Sequence, residues 1–181
     1  ETLLAEVSRA VSSSPEFGDV FETVAESISR AIDFDRFALT RIDLETQLAY
    51  TRFVSGAVVE GFAPGEVYEL SDELIDTGYF DTRGSYFEIG ELEKQIGYGA
   101  EKLASTAGLL SGVGVNLRTQ GTLVGNLSLR SRISGAYDVK DLHLLARLGD
   151  QLAGAFANWE LLSEVERRAS EDSVLAKIGR K

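Results

Sequence analysis

Side chains able to do chemistry are unevenly spread along these 181 residues. Tyr68, Tyr79, Tyr86 and Tyr98, four of the six tyrosines, fall in one stretch with Phe80 and Phe87, and glycines interleave them. Rings with polar tips suit the wall of a small-molecule cavity, because the ring supplies apolar area and the hydroxyl sets orientation. Ordinary burial beneath a long loop accounts for the same residues equally well. Flanking segments add Arg52, Asn116, Arg118, Asn126, Ser128 and Arg130, each placed by alternation to face either a cavity or the solvent. From these residues the expected ligand-binding set is Tyr68, Tyr79, Tyr86, Tyr98, Asn116 and Asn126.

Several other chemistries are closed to this chain. With no cysteine there is no disulfide, no thiolate zinc site and no cysteine nucleophile. A single histidine, His143, removes any site built from two imidazoles, and no metal centre is expected. His143 lies between Leu142 and Leu144 near the start of the last helical pattern, a place for a structural histidine. Asp72-Glu73 and the Asp33/Asp35 pair read as helix caps and solvated faces rather than as general acids and bases. Gly97-Tyr98-Gly99 and Gly112-Val113-Gly114 each open like a dinucleotide loop, yet neither supplies the third glycine between strand and helix. No catalytic residue is expected, so enzyme function is the remote alternative.

The elements that must position the tyrosines follow from hydrophobic period. Phe17, Val20, Phe21, Val24, Ile28 and Ile32 repeat at helical spacing, with Ser14 and Pro15 as the starting signal. Leu4, Val7 and Val11 repeat it more briefly upstream. After Asp33 the period becomes two: Phe37, Leu39 and Arg41 oppose Ala38, Thr40 and Ile42, and a second run spans Gln47 to Val54 after a polar turn. Short strands are expected at 66–70 and 86–89, and short helices at 72–79 and 91–105. Val113, Val115 and Leu117, then Leu123, Gly125, Leu127 and Leu129, form the strongest hairpin signal around Thr119-Gln120-Gly121. Asp138 caps a long helix in which Leu145, Leu148, Leu152, Ala155, Trp159 and Leu162 alternate three and four apart, the coiled-coil spacing.

Composition bounds the setting. Twenty-nine acids against 18 bases give a net charge of -11, which disfavours nucleic acid and anionic membranes, where Lys and Arg supply the affinity. No apolar run approaches the roughly 20 residues of a membrane helix, and the N-terminus lacks a signal-peptide pattern, so membrane insertion is not expected and the location expected is cytoplasmic. A chain beginning at Glu1 with no methionine reads as a piece of a longer protein. Leu3 to Arg9 also resembles Val174 to Arg180, as if another copy of the unit begins where the chain stops, though two short amphipathic helices match this well by chance.

Helix, hairpin, irregular middle, second hairpin and long helix make an α+β arrangement, and three segments resemble a GAF domain. Phe21 to Arg36 is similar to the family's helix ending in an aspartate-arginine pair before the first strand. Val113 to Leu129 carries the Gln120-Gly121 turn and Gly125 where the family has a glycine, and Tyr137 to Trp159 is like its terminal helix. The resemblance implies a GAF-like (profilin-like, PAS-like) antiparallel sheet of five or six strands with helices packed on it. It divides the chain into a linker helix at 1–14, a sensory domain at 15–170 and a linker or following module at 171–181. It further implies a regulatory module of a cytoplasmic signalling protein, binding a small molecule, pairing as a homodimer and controlling an output module in the same polypeptide, such as a histidine kinase of a two-component system. The expected dimer seam is Leu148, Leu152, Ala155, Trp159 and Leu162. The cofactor stays unknown: covalent bilin attachment and the sulfoxide-reducing chemistry of family relatives both need cysteine, the cyclic-nucleotide signature is matched only by Asp72-Glu73, and haem is not expected from the place of His143. A ligand-free dimer spacer is the alternative within the same fold.

Overall fold

The computed structural model describes residues 2–13, 16–96, 104–105 and 107–179. Its principal elements are α1 (Leu3–Ser13), α2 (Phe17–Ser29), β1 (Arg36–Asp43), β2 (Leu48–Gly56), β3 (Val67–Glu69), α3 (Asp72–Asp76), β4 (Gly84–Glu88), α4 (Ile89–Ile96), β5 (Ser111–Thr119), β6 (Thr122–Ser131) and α5 (Val139–Gly179). A 3-10 turn at Tyr79–Asp81 joins α3 to β4. Six strands form one sheet in the order β3-β2-β1-β6-β5-β4, and every neighbouring pair is antiparallel. The α+β architecture expected from alternation is therefore present, with six strands.

One face of that sheet is the apolar set predicted by period two. Phe37 and Leu39 of β1, Val113, Val115 and Leu117 of β5, and Leu127 and Leu129 of β6 meet Val20, Phe21, Val24 and Ile28 of α2 and Leu145, Leu148, Leu152 and Phe156 of α5. Each large side chain removed from water there contributes roughly 1.5–3 kcal/mol, so both helices are held on the same face. Gly149 lets α5 come close to the sheet: a Cβ there would stand 3.0 Å from Leu117 and 3.2 Å from Val115. Rings of Phe37, Phe53, Phe21, Trp159 and Phe17 contact one another in series at 4.9–6.1 Å between centroids. The upstream helix α1 is docked on this assembly as well, with Val7 and Ala10 buried and Glu6 paired to Arg30 at 2.7 Å.

Several local expectations need correction. Glu16, whose side chain does not cap the helix, occupies the N-cap of α2, while Ser14 and Pro15 lie outside the described residues. The helix expected at 72–79 stops at Asp76 because Gly78 takes φ +78, a left-handed conformation that ends a helix at little steric cost. Ser71 caps it, accepting from Leu74 N at 3.1 Å, and Asp72 and Glu73 fill its first turn. Of the helix expected at 91–105, Ile89–Ile96 is described as α4, and 97–103 lie outside the described residues.

Alternation in the hairpins is interrupted by two bulges. Pairing moves from Leu117↔Gly125 to Arg118↔Leu123, so Val124 is the extra residue. Val124 consequently packs with the helix-side core while Leu123 turns to the other face, the reverse of simple alternation. In β2 the register skips Arg52, which leaves it on the helix side beside Phe53. There Arg52 Nε donates to Glu160 of α5 at 2.8 Å.

Candidate ligand pocket

The opposite face of the sheet is small and polar where the helix face is aliphatic. β1 presents Thr40 and Ile42, β6 presents Asn126, Ser128 and Arg130, and β5 presents Gly112 and Gly114. The cover over this face runs from β3 through α3, the 3-10 turn and β4 to α4. Between sheet and cover lies a cavity of about 360 Å³, bounded by Tyr68, Leu70, Leu74, Tyr79, Phe80 and Phe87 as well as by the strand residues. That size lies within the range of small-molecule sites, roughly 300–1,000 Å³.

The cover is tied to the sheet by polar side chains. Asn116 and Asn126 stand opposite each other on β5 and β6. Asn126 Nδ2 donates to Tyr79 Oη at 2.8 Å and to Asn116 Oδ1 at 3.1 Å, while Asn116 Nδ2 donates to the carbonyls of Tyr79 at 2.9 Å and Thr82 at 3.0 Å. Arg118 donates to the carbonyls of Phe80 and Thr82. These bonds satisfy the carbonyls of an irregular segment that no strand partner could satisfy, which is the condition for keeping such a segment beside a buried face. Gly114 makes room for the tyrosine, since a Cβ there would lie 2.7 Å from Tyr79 Oη.

A smaller compartment of about 60 Å³ adjoins the first and shares Thr40, Tyr68, Ser128 and Arg130 with it. Its further wall carries Arg36, only 6% exposed, whose Nη1 and Nη2 donate to Ala57 O at 2.7 Å and Phe62 O at 2.8 Å. Burial lowers the pKa of Arg36, and the nearby charge of Arg130 adds to the shift. The Arg130 guanidinium lies 4.7 Å over the Phe87 ring, a cation–π contact. A side chain at Gly112 would collide with both Arg130 and Phe87.

Tyr68, Tyr79 and Asn126 thus border one cavity, and Asn116 stands behind it as a tie. Tyr86 does not join them. On β4 it pairs with Val113 and alternates with Ser85 and Phe87, so period two turns it from the cavity and leaves it 48% exposed. Tyr98 lies outside the described residues. Thr40, Phe80, Phe87, Ser128, Arg36 and Arg130 are wall residues beyond the expected set. The signal for Ser128 and Arg130 was their spacing from Asn126, since i, i+2 and i+4 share a strand face. His143 is exposed on α5, across the sheet from the cavity. No group of three His, Cys, Asp or Glu is arranged to hold a metal ion among the described residues.

The expected seam on α5 divides in two. Leu148 and Leu152 are fully buried in the chain's own core and offer no surface to a second chain. Trp159 is partly covered, edge-on to Phe17 and Phe21 at 5.4 and 5.5 Å, and Ala155 is also partly buried. Only Leu162, 57% exposed, stands clear of the domain. Beyond it Val165, Val174, Leu175 and Ile178 are exposed too, as is Leu161. No described helix is long and apolar enough to cross a membrane.

No family model matches the sequence, and no curated protein matches it. Solved structures do share the fold. The GAF domain of a two-component sensor histidine kinase from Bacillus halodurans superposes with a TM-score of 0.67 at 17% identity, covering 83% of this chain and 99% of that one. A phycoerythrobilin-bound GAF domain from a cyanobacterial phytochrome gives 0.67 at 15% identity, over 88% of this chain and 94% of that one. Free methionine-R-sulfoxide reductase from Neisseria meningitidis, solved with its substrate, gives 0.65 at 13% identity over 86% of each chain. At these identities the likeness concerns the fold.

Proposed function

Taking the GAF fold as premise, we propose that this chain is a non-catalytic sensory module that binds a small molecule in the cavity over its sheet and passes the binding state along α5. The observation that carries this reading is the two-faced strand β5. Gly114 borders the cavity, with Asn116 tying its cover, while Val113, Val115 and Leu117 on the other face pack in the core that holds Leu145, Leu148 and Leu152 of α5. A ligand preferring one arrangement of the cover over another biases the strand to which α5 is packed, by no more than its difference in affinity for the two arrangements.

The exposed half of α5 supports a second part of the proposal, a homodimer through the end helices. Leu161 and Leu175 are two heptads apart, and Leu162, Val165 and Ile178 widen an apolar strip that a monomer would leave in water. An output module in the same polypeptide, such as a histidine kinase in the cytoplasm, would read the arrangement of the paired helices. The sulfoxide-reductase likeness does not carry its chemistry here, because the cysteines on which that branch depends are absent from this sequence.

Native mass spectrometry of freshly purified protein tests both parts. A dimer retaining a small molecule that is released on denaturation is the expected result. A bare dimer showing no thermal shift with any member of a broad metabolite set would replace the sensory reading with that of a ligand-free spacer. A chain still monomeric at high micromolar concentration would overturn pairing by these helices alone.

A further inference from the structure

We propose that the cavity takes a neutral ring polyol, its hydroxyl groups met by those of Thr40, Thr51 and Ser128 and by the amide oxygen of Asn126; this deepens the sensory reading above and rests on it. The first observation is the order of side chains on the cavity face, which strand pairing sets in rows. Thr51, Thr40, Asn126 and Asn116 stand side by side across β2, β1, β6 and β5. The next row is Ala38, Ser128, Gly114 and Ser85, and the third is Arg36, Arg130, Gly112 and Phe87. Small residues between a polar row and a row that carries two arginines leave a trough across the strands, with hydroxyl and amide groups along it.

The second observation is what those groups still require. Among the described residues the hydroxyls of Thr40, Thr51 and Ser128 make no hydrogen bond. Asn126 Nδ2 spends both its hydrogens on Tyr79 Oη and Asn116 Oδ1, and Asn126 Oδ1 accepts from no described residue. Thr40 and Thr51 are only 7% and 2% exposed, yet their hydroxyls are not sealed off, and the space they open on is the cavity. Buried polar groups are nearly always satisfied, and leaving them bare is costly. A hydroxyl both donates and accepts, whereas an amide oxygen only accepts. A ligand that answers all four must therefore donate at Asn126 and do both elsewhere, as alcohol groups do and carbonyl or ether oxygens do not.

Charge points the same way. No Asp or Glu lines either compartment among the described residues, which leaves a cationic ligand without a counter-charge. The two wall arginines are engaged within the protein: Arg36 donates to the carbonyls of Ala57 and Phe62, and Arg130 lies over the Phe87 ring. A neutral ligand asks nothing further of either. On the far side of the Thr40 row, Ile42 packs with Leu70 and Phe80, and Leu74 lies against them. That end suits the C–H face of a ring whose hydroxyl groups turn to the trough.

Calorimetric titration of the full chain with myo-inositol, D-xylose and methyl β-D-glucopyranoside, beside cyclohexanol and tetrahydropyran as rings stripped of their hydroxyl array, tests the inference. At least one polyol should bind about ten-fold or more tightly than the stripped rings, because each hydroxyl withheld leaves a wall group unmet. Thr40→Val together with Ser128→Ala should abolish that preference while thermal unfolding of the ligand-free chain stays near wild type, since neither hydroxyl is bonded within the protein. Should the double variant fail to fold, backbone amide shifts at Thr40, Thr51 and Ser128 in the wild-type polyol complex, absent with the stripped rings, supply the same answer. Stripped rings binding as well as polyols, a preference surviving the double variant, or a retained native molecule without hydroxyl groups would overturn the polyol and leave the sensory reading standing. Binding by none of these compounds, with no small molecule retained on the native protein, would remove both.

Discussion

Tyr79 belongs at once to the cover and, through its hydroxyl, to the sheet. Asn126 donates to that hydroxyl, and Asn116 donates to the carbonyl of the same residue. Tyr79→Phe removes one bond of the network and leaves Asn126 its bond to Asn116, so a loss of about 0.5–1.5 kcal/mol is expected in urea unfolding. Phe156→Ala should cost far more, about 3–5 kcal/mol, because the ring is fully buried under the sheet at Gly125 and leaves a cavity that the close-fitting glycine cannot fill. Tyr86→Ser is the contrast: on an exposed edge-strand position it should change stability by no more than about 0.5 kcal/mol. A Tyr86→Ser loss comparable with that of Phe156→Ala would mean that the face assigned to β4 is wrong. Composition alone could not tell Tyr79 from Tyr86, since both sit among glycines and aromatics. Tyr79 sits in the 3-10 turn of the cover, whereas Tyr86 is turned outward by the phase of β4, which its pairing with β5 fixes, a long-range fact.

At the scale of elements, the strands and helices with strong period were legible and their irregularities were not. Val124 and Arg52 occupy their faces because each is the extra residue of a bulge, and nothing in the local residue pattern marks a bulge. The start of α5 was legible in Asp138. Its side chain accepts from the N–H groups of Lys140 at 2.9 Å and Asp141 at 3.2 Å, while Asp141 Oδ2 accepts from Asp138 N at 3.0 Å. Hydrogen bonding from the Asp141 backbone, with that from Lys140, holds the Asp138 carboxyl below its ordinary range. A depressed pKa means that the cap favours the folded helix start fully above the ordinary carboxylate range, near about 3.9, and loses that effect as pH falls through the lower folded value. NMR titration should therefore find Asp138 ionising below a free aspartate, with the amides of Lys140 and Asp141 losing protection together in acid. Ionisation at or above the free value would refute the cap.

For the whole molecule, α5 has two environments along one unbroken helix of 41 residues. Its first half closes the core, and its second half carries exposed Leu161, Val165 and Leu175 between ion pairs such as Arg167 with Glu164 at 2.6 Å. Leu161→Glu with Val165→Glu places like charges on both copies of the proposed dimer, and sedimentation should then show a monomer. Urea unfolding of the double variant should stay near wild type once concentration dependence is removed, since neither side chain belongs to the core. A dimer that survives these changes must use another surface. The three–four spacing from Leu145 to Leu162 pointed to an apolar stripe without saying what covers it. Packing of α5 on the sheet, chiefly on β5 with α1 beside it, decides that, and it assigns Leu148 and Leu152 to the chain's own interior.

Continuity of α5 across the edge of the domain has a consequence for direction. At 1.5 Å per residue the helix is about 60 Å long, and each residue turns its successor by about 100°. Whatever continues from it is therefore held at an azimuth counted in residues, like a hand on a shaft. Inserting seven residues after Val165 would restore that azimuth to within about 20°, whereas inserting two would turn a fused reporter to nearly the opposite side. Activity of such a fusion should follow the angle rather than the length of the insert, and a smooth dependence on length alone would mean that the shaft bends.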